Sequence, residues 1–228
     1  MSVPSSESRP YAEGLAEGLA DRPERWEVVR SESALDSGRV ISVRRDVVRS
    51  AVDGGEFTRE VVLHPGAVGI IALDEDENVL LVSQYRHPVG HRLLEPPAGL
   101  LDVDGEDYLT AAQRELYEEG FVRAADWRVL LDAFTSPGMT NETVRVYLAR
   151  GLQPVDDRAR HVGVHEEADL PVVWWPLGEV VAAALGGRLH NPILLFGALA
   201  AWAARAGEGY DALRPADVAW PARDAVPR

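Results

Sequence analysis

Residues 99–122 read GLLDVDGEDYLTAAQRELYEEGFV and carry the strongest pattern in the chain. Apolar residues recur in this stretch at helical spacing, at Leu109, Ala112 and Leu116. Asp107 or Thr110 can cap the start, because short polar side chains accept hydrogen bonds from free backbone N–H groups. Gly120 can end the helix, since glycine readily adopts the left-handed conformation found there. The pattern predicts one amphipathic helix over about residues 105–120.

Three carboxylates lie on one face of this predicted helix. Glu115, Glu118 and Glu119 stand at positions i, i+3 and i+4, which are neighbours on a helix surface. Glu115 and Glu119 repel each other as like charges, and a divalent cation would remove that cost. Oxygen ligands on a rigid face suit Mg²⁺ or Mn²⁺. The alternative is a solvated acidic face on which Arg114 pairs with Glu118.

The composition restricts the chemistry that is open to the chain. The absence of cysteine excludes disulfides, thiolate metal sites and a cysteine nucleophile. All 23 basic residues are arginine, so a phosphate-binding P-loop lysine is excluded and arginine must supply the phosphate contacts. A formal charge of -14 argues against nucleic acid as a partner. No long apolar run or signal peptide is present, and we expect a cytoplasmic protein without a membrane-spanning segment.

The remaining sequence predicts mainly strands. Alternating runs between residues 26 and 64, separated by Asp-Ser-Gly and Asp-Gly-Gly turns, predict a small antiparallel sheet. Further strands are predicted in the runs AVGIIAL, NVLLVSQY, WRVLLDAF, TVRVYLAR and VVWWPL. A last helix is predicted from about Pro192 to Ala204. This order predicts an α+β fold in which a mixed sheet is sandwiched between helices and follows a small β domain.

The chain divides into four regions on these patterns. We expect a mobile N-terminal arm over 1–25, the small β domain over 26–64 and the main domain over 65–208. Residues 209–228 contain three prolines and no clear period, and are expected to form a loosely held C-terminal extension.

The opening stretch resembles the Nudix box, whose pattern is G-x5-E-x7-R-E-U-x-E-E-x-G-U, where U is aliphatic. The matching residues are Glu106, Arg114, Glu115, Leu116, Glu118 and Glu119. Two positions depart from the pattern. Six residues, not five, separate Gly99 from Glu106, and Phe121 occupies the second glycine position while Gly120 precedes it. The insertion falls in a loop, and the shifted glycine still follows Glu119, so the ligand geometry is expected to survive.

Over residues 26–205 the chain resembles the ADP-ribose pyrophosphatase branch of the Nudix family. SQYRHP at 83–88 resembles its Q-Y-R strand end. EPPAG at 95–99 resembles its E-x-P-A-G motif, although Pro96 replaces a larger apolar residue. Pro137 lies fifteen residues past the box, where a proline marks ADP-ribose hydrolases. The resemblance therefore implies a Nudix fold and a nucleoside diphosphate substrate.

The resemblance also implies a metal site and a catalytic base. Mg²⁺, with Mn²⁺ as a possible substitute, would be held by Glu115, Glu119 and the carbonyl of Ala98, with Glu118 in support directly or through water. Arg114 would pair with Glu106 or Glu118 and orient the helix carboxylates. HEEADL at 165–170 resembles the mobile loop that carries the base, which would be Glu166. Glu167 competes for that role, and Glu166 can also be read as a solvated loop residue. Ala168 stands where the family has a further loop ligand, so fewer protein ligands are expected.

The substrate contacts are implied in the same way. Arg86 would contact the diphosphate, although it can also be read as an ordinary strand-end arginine. The terminal-ribose and phosphate pocket would be lined by Glu95, Leu100, Ser136, Pro137, Gly138 and Glu142. Trp26 can stack on adenine or pack in the core of the small sheet.

The implied activity is Mg²⁺-dependent hydrolysis of the pyrophosphate of ADP-ribose to AMP and ribose 5-phosphate. One alternative is a Nudix hydrolase of another nucleoside diphosphate sugar, which Pro137 argues against. Another is a catalytically silent nucleotide-sensing Nudix domain, which would be expected to lose box carboxylates. The resemblance further implies a homodimer through the small β domain, with a monomer as the alternative.

Overall fold

The computed structural model describes residues 20–35, 40–155 and 170–227 of the chain. Its strands, in chain order, are β1 (Glu27–Leu35), β2 (Ser42–Arg49), β3 (Glu56–Leu63), β4 (Ala67–Ala72), β5 (Asn78–Arg86), β6 (His91–Glu95), β7 (Ala98–Leu100), β8 (Val122–Phe134), β9 (Thr143–Pro154), β10 (Val172–Pro176) and β11 (Arg214–Pro215). Its helices are α1 (Tyr108–Gly120), α2 (Leu177–Leu185), α3 (Pro192–Ala206) and α4 (Pro221–Asp224).

The strands form three sheets. β1, β2 and β3 make an antiparallel sheet in that order. A second antiparallel sheet has the order β10-β5-β6, and a mixed sheet has the order β11-β8-β9-β4-β7, in which β4 and β9 run parallel. The predicted α+β fold with a small antiparallel sheet ahead of a mixed-sheet domain is confirmed.

Helices cover both faces of the central strands. One apolar cluster packs residues of α1 such as Leu116 against β4, β5 and β9. A second cluster packs α2 and α3 against the other side of these strands, with Leu177 and Leu194 fully buried. Consecutive residues of β4 serve the two clusters in turn, Ile70 toward α1 and Ile71 toward α3, because side chains alternate across a strand. Helix α1 is thus fixed to the sheet through an apolar interface.

Two features differ from the sequence-based expectations. Helix α2 was not predicted, because Glu179 is the one charged residue in LGEVVAAAL, although the buried residues Leu177, Val180 and Val181 do stand at helical spacing. The C-terminal segment is not loosely held, since Tyr210 and Trp220 are buried. The carbonyls of Val218 and Ala219 accept hydrogen bonds from Arg145 over 2.7 and 3.3 Å. These contacts fasten the tail to the main sheet.

No helix among the described residues is both long enough and apolar enough to cross a membrane. The division into an N-terminal arm over 1–25, a small domain over 26–64 and a main domain over 65–208 stays a prediction.

Candidate active site

Helix α1 begins and ends at well-defined caps. The Asp107 side chain accepts hydrogen bonds from the backbone N–H groups of Leu109 and Thr110, which confirms the predicted N-cap. The C-terminus differs from the expectation, because the left-handed residue is Phe121, with φ of 55°, and not Gly120. Gly120 stays inside the helix, where a β-carbon would lie 3.1 Å from the Leu80 side chain. The glycine therefore serves close packing against β5, and the helix still ends after the acidic residues.

The backbone next to α1 leaves room for its carboxylates. A β-carbon on Gly99 of β7 would lie 1.9 Å from Oε1 of Glu115, so only glycine fits at this position. The backbone N–H of Ala98 donates a hydrogen bond to Oε2 of Glu119 over 3.0 Å. Strand β7 and the acidic face of α1 are thus in direct contact, as the predicted metal site requires.

Arg114 organises three carboxylates. Its Nε and Nη2 donate to the two oxygens of Glu106, each over 3.0 Å, in a bidentate pair. Its Nη1 donates to Glu115 over 2.6 Å and to Glu118 over 3.3 Å. The sequence left Glu106 and Glu118 open as partners of Arg114, and the structure shows both. The guanidinium hydrogen bond lowers the pKa of Glu106, so this carboxylate stays ionised.

Glu115 is the most buried of the helix carboxylates. Burial raises its pKa, while the neighbouring Arg114 charge opposes that shift. A buried anion needs a compensating cation, and Arg114 supplies one here. A divalent cation could provide the same compensation.

The possible metal ligands at the predicted site are the carboxylates of α1 and the backbone of β7. Among the described residues, no three acidic or histidine side chains are arranged to hold an ion. Glu115 and Glu118 turn to Arg114, and Glu119 turns to the Ala98 N–H. The donor atoms are nevertheless of the type that a hard cation prefers, because they are carboxylate oxygens on one rigid helix face. This face lies against the backbone at Gly99, which has no side chain.

A second pair of predicted residues meets on the β5–β6 hairpin. Arg86 donates to both oxygens of Glu95, over 3.0 and 2.7 Å. The Glu95 side chain is only 2% exposed, whereas that of Arg86 is 44% exposed. The buried carboxylate therefore anchors an arginine that remains accessible at the strand end. Glu95 also precedes β7 by only three residues, which links this pair to the metal-site backbone.

The predicted substrate loop lies between β8 and β9. Ser136, Pro137 and Gly138 are exposed in a turn, where the N–H of Met139 donates to the Ser136 carbonyl. The hydroxyl of Thr135 donates to Glu142 at the other end of the loop. Two backbone hydrogen bonds join the loop to Val62 at the end of β3.

Three further predicted residues fall in different places. Leu100 is half-buried in β7, beside Gly99. Trp26 is half-buried just before β1 of the small sheet, where its ring makes an edge contact with Phe57 and its indole N–H donates to Glu24. Glu166 lies outside the described residues, as do Glu167 and Ala168.

The structure adds His64 to the site, which the sequence analysis missed. Nδ1 of His64 accepts a hydrogen bond from the Gly66 N–H over 3.0 Å and lies 3.5 Å from Oε1 of Glu142. His64 and Glu142 are 78 positions apart and share no motif, so only the fold brings them together. Burial lowers the pKa of His64, Glu142 opposes this shift and the nearby Arg223 adds to it.

Protonation of His64 is expected to destabilise the fold. Its folded-state pKa lies below its unfolded value of about 6.5, so the unfolded chain binds more protons as the pH falls past that value. We expect the free energy of unfolding to decrease as the pH falls below about 6.5. The melting temperature should drop more in the parent than in His64→Asn, whose amide oxygen accepts the Gly66 N–H without titrating. Equal drops in the two proteins would contradict the assignment.

Comparisons with known proteins agree with this geometry. Residues 63–195, more than half of the chain, match the family model of the NUDIX domain. The chain belongs to the Nudix family. As a Nudix hydrolase it falls in a class that generally needs a divalent metal, and α1 is its Nudix helix.

Similar proteins were found by sequence and by structure. The chain is 46% identical over 195 residues to an ADP-ribose pyrophosphatase of Mycobacterium tuberculosis, which covers 86% of this chain and 91% of that protein. It is 35% identical over 155 residues to a methanol dehydrogenase activator of Bacillus methanolicus, covering 68% and 81%. A solved structure described as an ADP compounds hydrolase superposes with a TM-score of 0.66 at 22% identity, over 83% of this chain and 99% of that one. This last likeness concerns the Nudix fold alone.

Proposed function

We propose that this protein hydrolyses the pyrophosphate of ADP-ribose to AMP and ribose 5-phosphate. The observation that carries the proposal is the 46% identity to an ADP-ribose pyrophosphatase over nearly the whole of both chains. The site is consistent with it, because the complete acidic face of α1 lies against β7 with Arg114 among its carboxylates. A catalytically silent domain would have no need of this set.

Mg²⁺ is the proposed metal, with Mn²⁺ as a substitute, because both prefer oxygen ligands. Glu115, Glu119 and the Ala98 carbonyl would hold it, and Glu118 would support it. When bound, the metal would neutralise negative charge that develops on the diphosphate. Arg114 would keep Glu115 and Glu118 oriented, and its bidentate pair with Glu106 would hold the guanidinium in place.

The remaining roles fall to residues around the helix. Arg86, anchored on the buried Glu95, would present its accessible guanidinium to a phosphate. Glu95, Leu100, the turn Ser136–Gly138 and Glu142 would line the terminal-ribose and phosphate pocket. Glu166 would take the proton of the attacking water, and Trp26 would stack on adenine.

A substrate panel tests the proposed activity. In Mg²⁺, we expect ADP-ribose to be hydrolysed with at least roughly tenfold higher kcat/KM than nucleotide sugars, a gap of about 1.4 kcal/mol. The expectation rests on Pro137 in its exposed turn. Products are identified by chromatography, and AMP with ribose 5-phosphate should appear in equal amounts. A nucleotide sugar as the better substrate would refute the proposed substrate while leaving the family unchanged.

We also propose a homodimer through the small sheet. Every residue of β1 is exposed, and Asp46 is the only buried residue within β1, β2 and β3. Three strands without a core of their own are marginally stable in water. Packing of the small sheet against a second copy of the chain would stabilise it. Val28 and Val29 are 49% and 40% exposed, and they lie where the register between β1 and β2 shifts by one residue.

The dimer can be tested by substitutions in β1. Sedimentation velocity of the parent should give twice the chain mass at micromolar concentration. Val28→Arg combined with Val29→Arg should yield monomers, because a buried unpaired charge opposes association. Val52→Arg is the control and should remain dimeric, because Val52 is 86% exposed in the turn after β2. A monomeric parent would refute the proposal.

A further inference from the structure

The C-terminal strap, defined as residues 214–227, runs across the main domain toward the substrate loop. It starts with β11, which pairs with β8, and Arg214 forms an ion pair with Asp132. Trp220 is 3% exposed and makes an edge contact with Tyr108, the first residue of α1, at 5.4 Å between ring centroids. The strap therefore packs against the first turn of the Nudix helix.

The end of the strap carries an arginine that points into the fold. Arg223 of α4 donates from Nη1 to the Thr143 hydroxyl and from Nη2 to the Pro65 carbonyl, each over 2.6 Å. Gly66, with φ of 89°, makes room for it, because a β-carbon there would lie 2.1 Å from Nη1 of Arg223. The guanidinium thus joins two segments that are 78 positions apart in sequence.

Both segments adjoin Glu142. Thr143 follows Glu142 directly, and Pro65 follows His64, which lies 3.5 Å from the Glu142 carboxylate. The strap makes a second contact with the loop, since the Asn141 side-chain amide donates to the Pro227 carbonyl over 3.2 Å. Asn141 in turn accepts the His64 N–H over 2.8 Å. These hydrogen bonds fix the loop's C-terminal end to the start of β4.

We propose that Arg223 is a positioning residue that holds the loop Thr135–Glu142 in its binding conformation. The proposal rests on the proposed function, in which this loop and Glu142 contact substrate. Arg223 acts through Thr143 and Pro65, and fixes where Glu142 and the Ser136–Gly138 turn stand. Substrate binding is then sensitive to a residue near the end of the chain that belongs to no Nudix motif.

Kinetics of Arg223→Ala test this role. We expect KM for ADP-ribose to rise roughly tenfold, the cost of about one charge-assisted hydrogen bond, with kcat changed less than about threefold. Added guanidinium ion should partly restore KM. The matched control is Arg214→Ala, which removes another strap arginine and its ion pair but leaves Thr143 and Pro65 untouched. An unchanged KM in Arg223→Ala, or an equal rise in the control, would overturn the proposal.

Thr143→Val provides a second route if Arg223→Ala fails to fold. It removes one acceptor of the same guanidinium, and its KM should rise in the same direction. The double variant should be no worse than Arg223→Ala alone, because the two changes break one contact. A fully additive loss would show that the residues act independently and would overturn the proposal.

A readout without substrate separates this inference from the proposed function. Hydrogen exchange of backbone amides in residues 135–143 should accelerate in Arg223→Ala and not in Arg214→Ala. If the parent fails to hydrolyse ADP-ribose while exchange accelerates in this way, the proposed function is wrong and the positioning role stands. Unchanged exchange in this loop would overturn the positioning role, whatever the activity of the parent.

Discussion

Replacement of Glu119 by glutamine is expected to lower kcat on the order of a thousandfold while the protein keeps its fold. The change removes one of the charges proposed to bind the metal. Its side-chain oxygen can still accept the Ala98 N–H, which now lies 3.0 Å from Glu119, so β7 should stay docked on α1. The substitution also removes the charge repulsion between Glu119 and Glu115. The melting temperature without metal should therefore stay unchanged or rise slightly.

The matched control for this variant is Glu75→Gln, the same chemical change in the exposed turn between β4 and β5. It should keep parental turnover. Turnover of both variants is measured over a Mg²⁺ titration. A weakened metal site would shift the midpoint of the titration to higher Mg²⁺, whereas a lost site would leave turnover low at every Mg²⁺ concentration. Near-normal turnover of Glu119→Gln in saturating Mg²⁺ would show that this carboxylate does not bind the metal.

The acidic face of α1 could be predicted because all of its determinants are local. Leu109, Ala112 and Leu116 set the helical period, and Asp107 marks the start, within a dozen positions of the carboxylates. The partners of those carboxylates were only half predictable. Arg114 was expected to contact Glu106 or Glu118, whereas the structure shows contacts with both and with Glu115. A guanidinium carries five N–H donors and can bind several acceptors at once, and sequence spacing alone does not reveal this.

Other features depend on contacts between distant segments. Gly120 looked like a helix terminator, yet it is retained in the helix because Leu80, forty positions earlier, packs against it. The tail looked unstructured because prolines break every period, yet Trp220 and Arg223 bind partners more than 70 positions away. Neither residue belongs to a local pattern that would have signalled its role.

The catalytic base is the role that depends most on sequence alone. Glu166 lies in the stretch between β9 and β10, and residues 156–169 of it are outside the described part of the chain. Where the described chain resumes, the Pro171 carbonyl accepts the N–H of Ser83, three residues before Arg86. The stretch therefore rejoins the sheet beside the strand that carries the proposed phosphate-binding arginine.

Glu166→Gln is expected to lower kcat by roughly 10²–10⁴, with little change in KM or in Mg²⁺ dependence, as for loss of a general base. Glu167→Gln is the matched control and should cost much less, because only one of the two neighbouring carboxylates is proposed to take the proton of the attacking water. Steady-state kinetics of both variants over a Mg²⁺ titration distinguish a lost base from a lost metal ligand, which would shift the titration midpoint. Reversed effects would assign the base to Glu167. If neither variant loses activity, the proton must be taken elsewhere, and Glu118, which is half-buried and 3.3 Å from Arg114, is then the next carboxylate to replace.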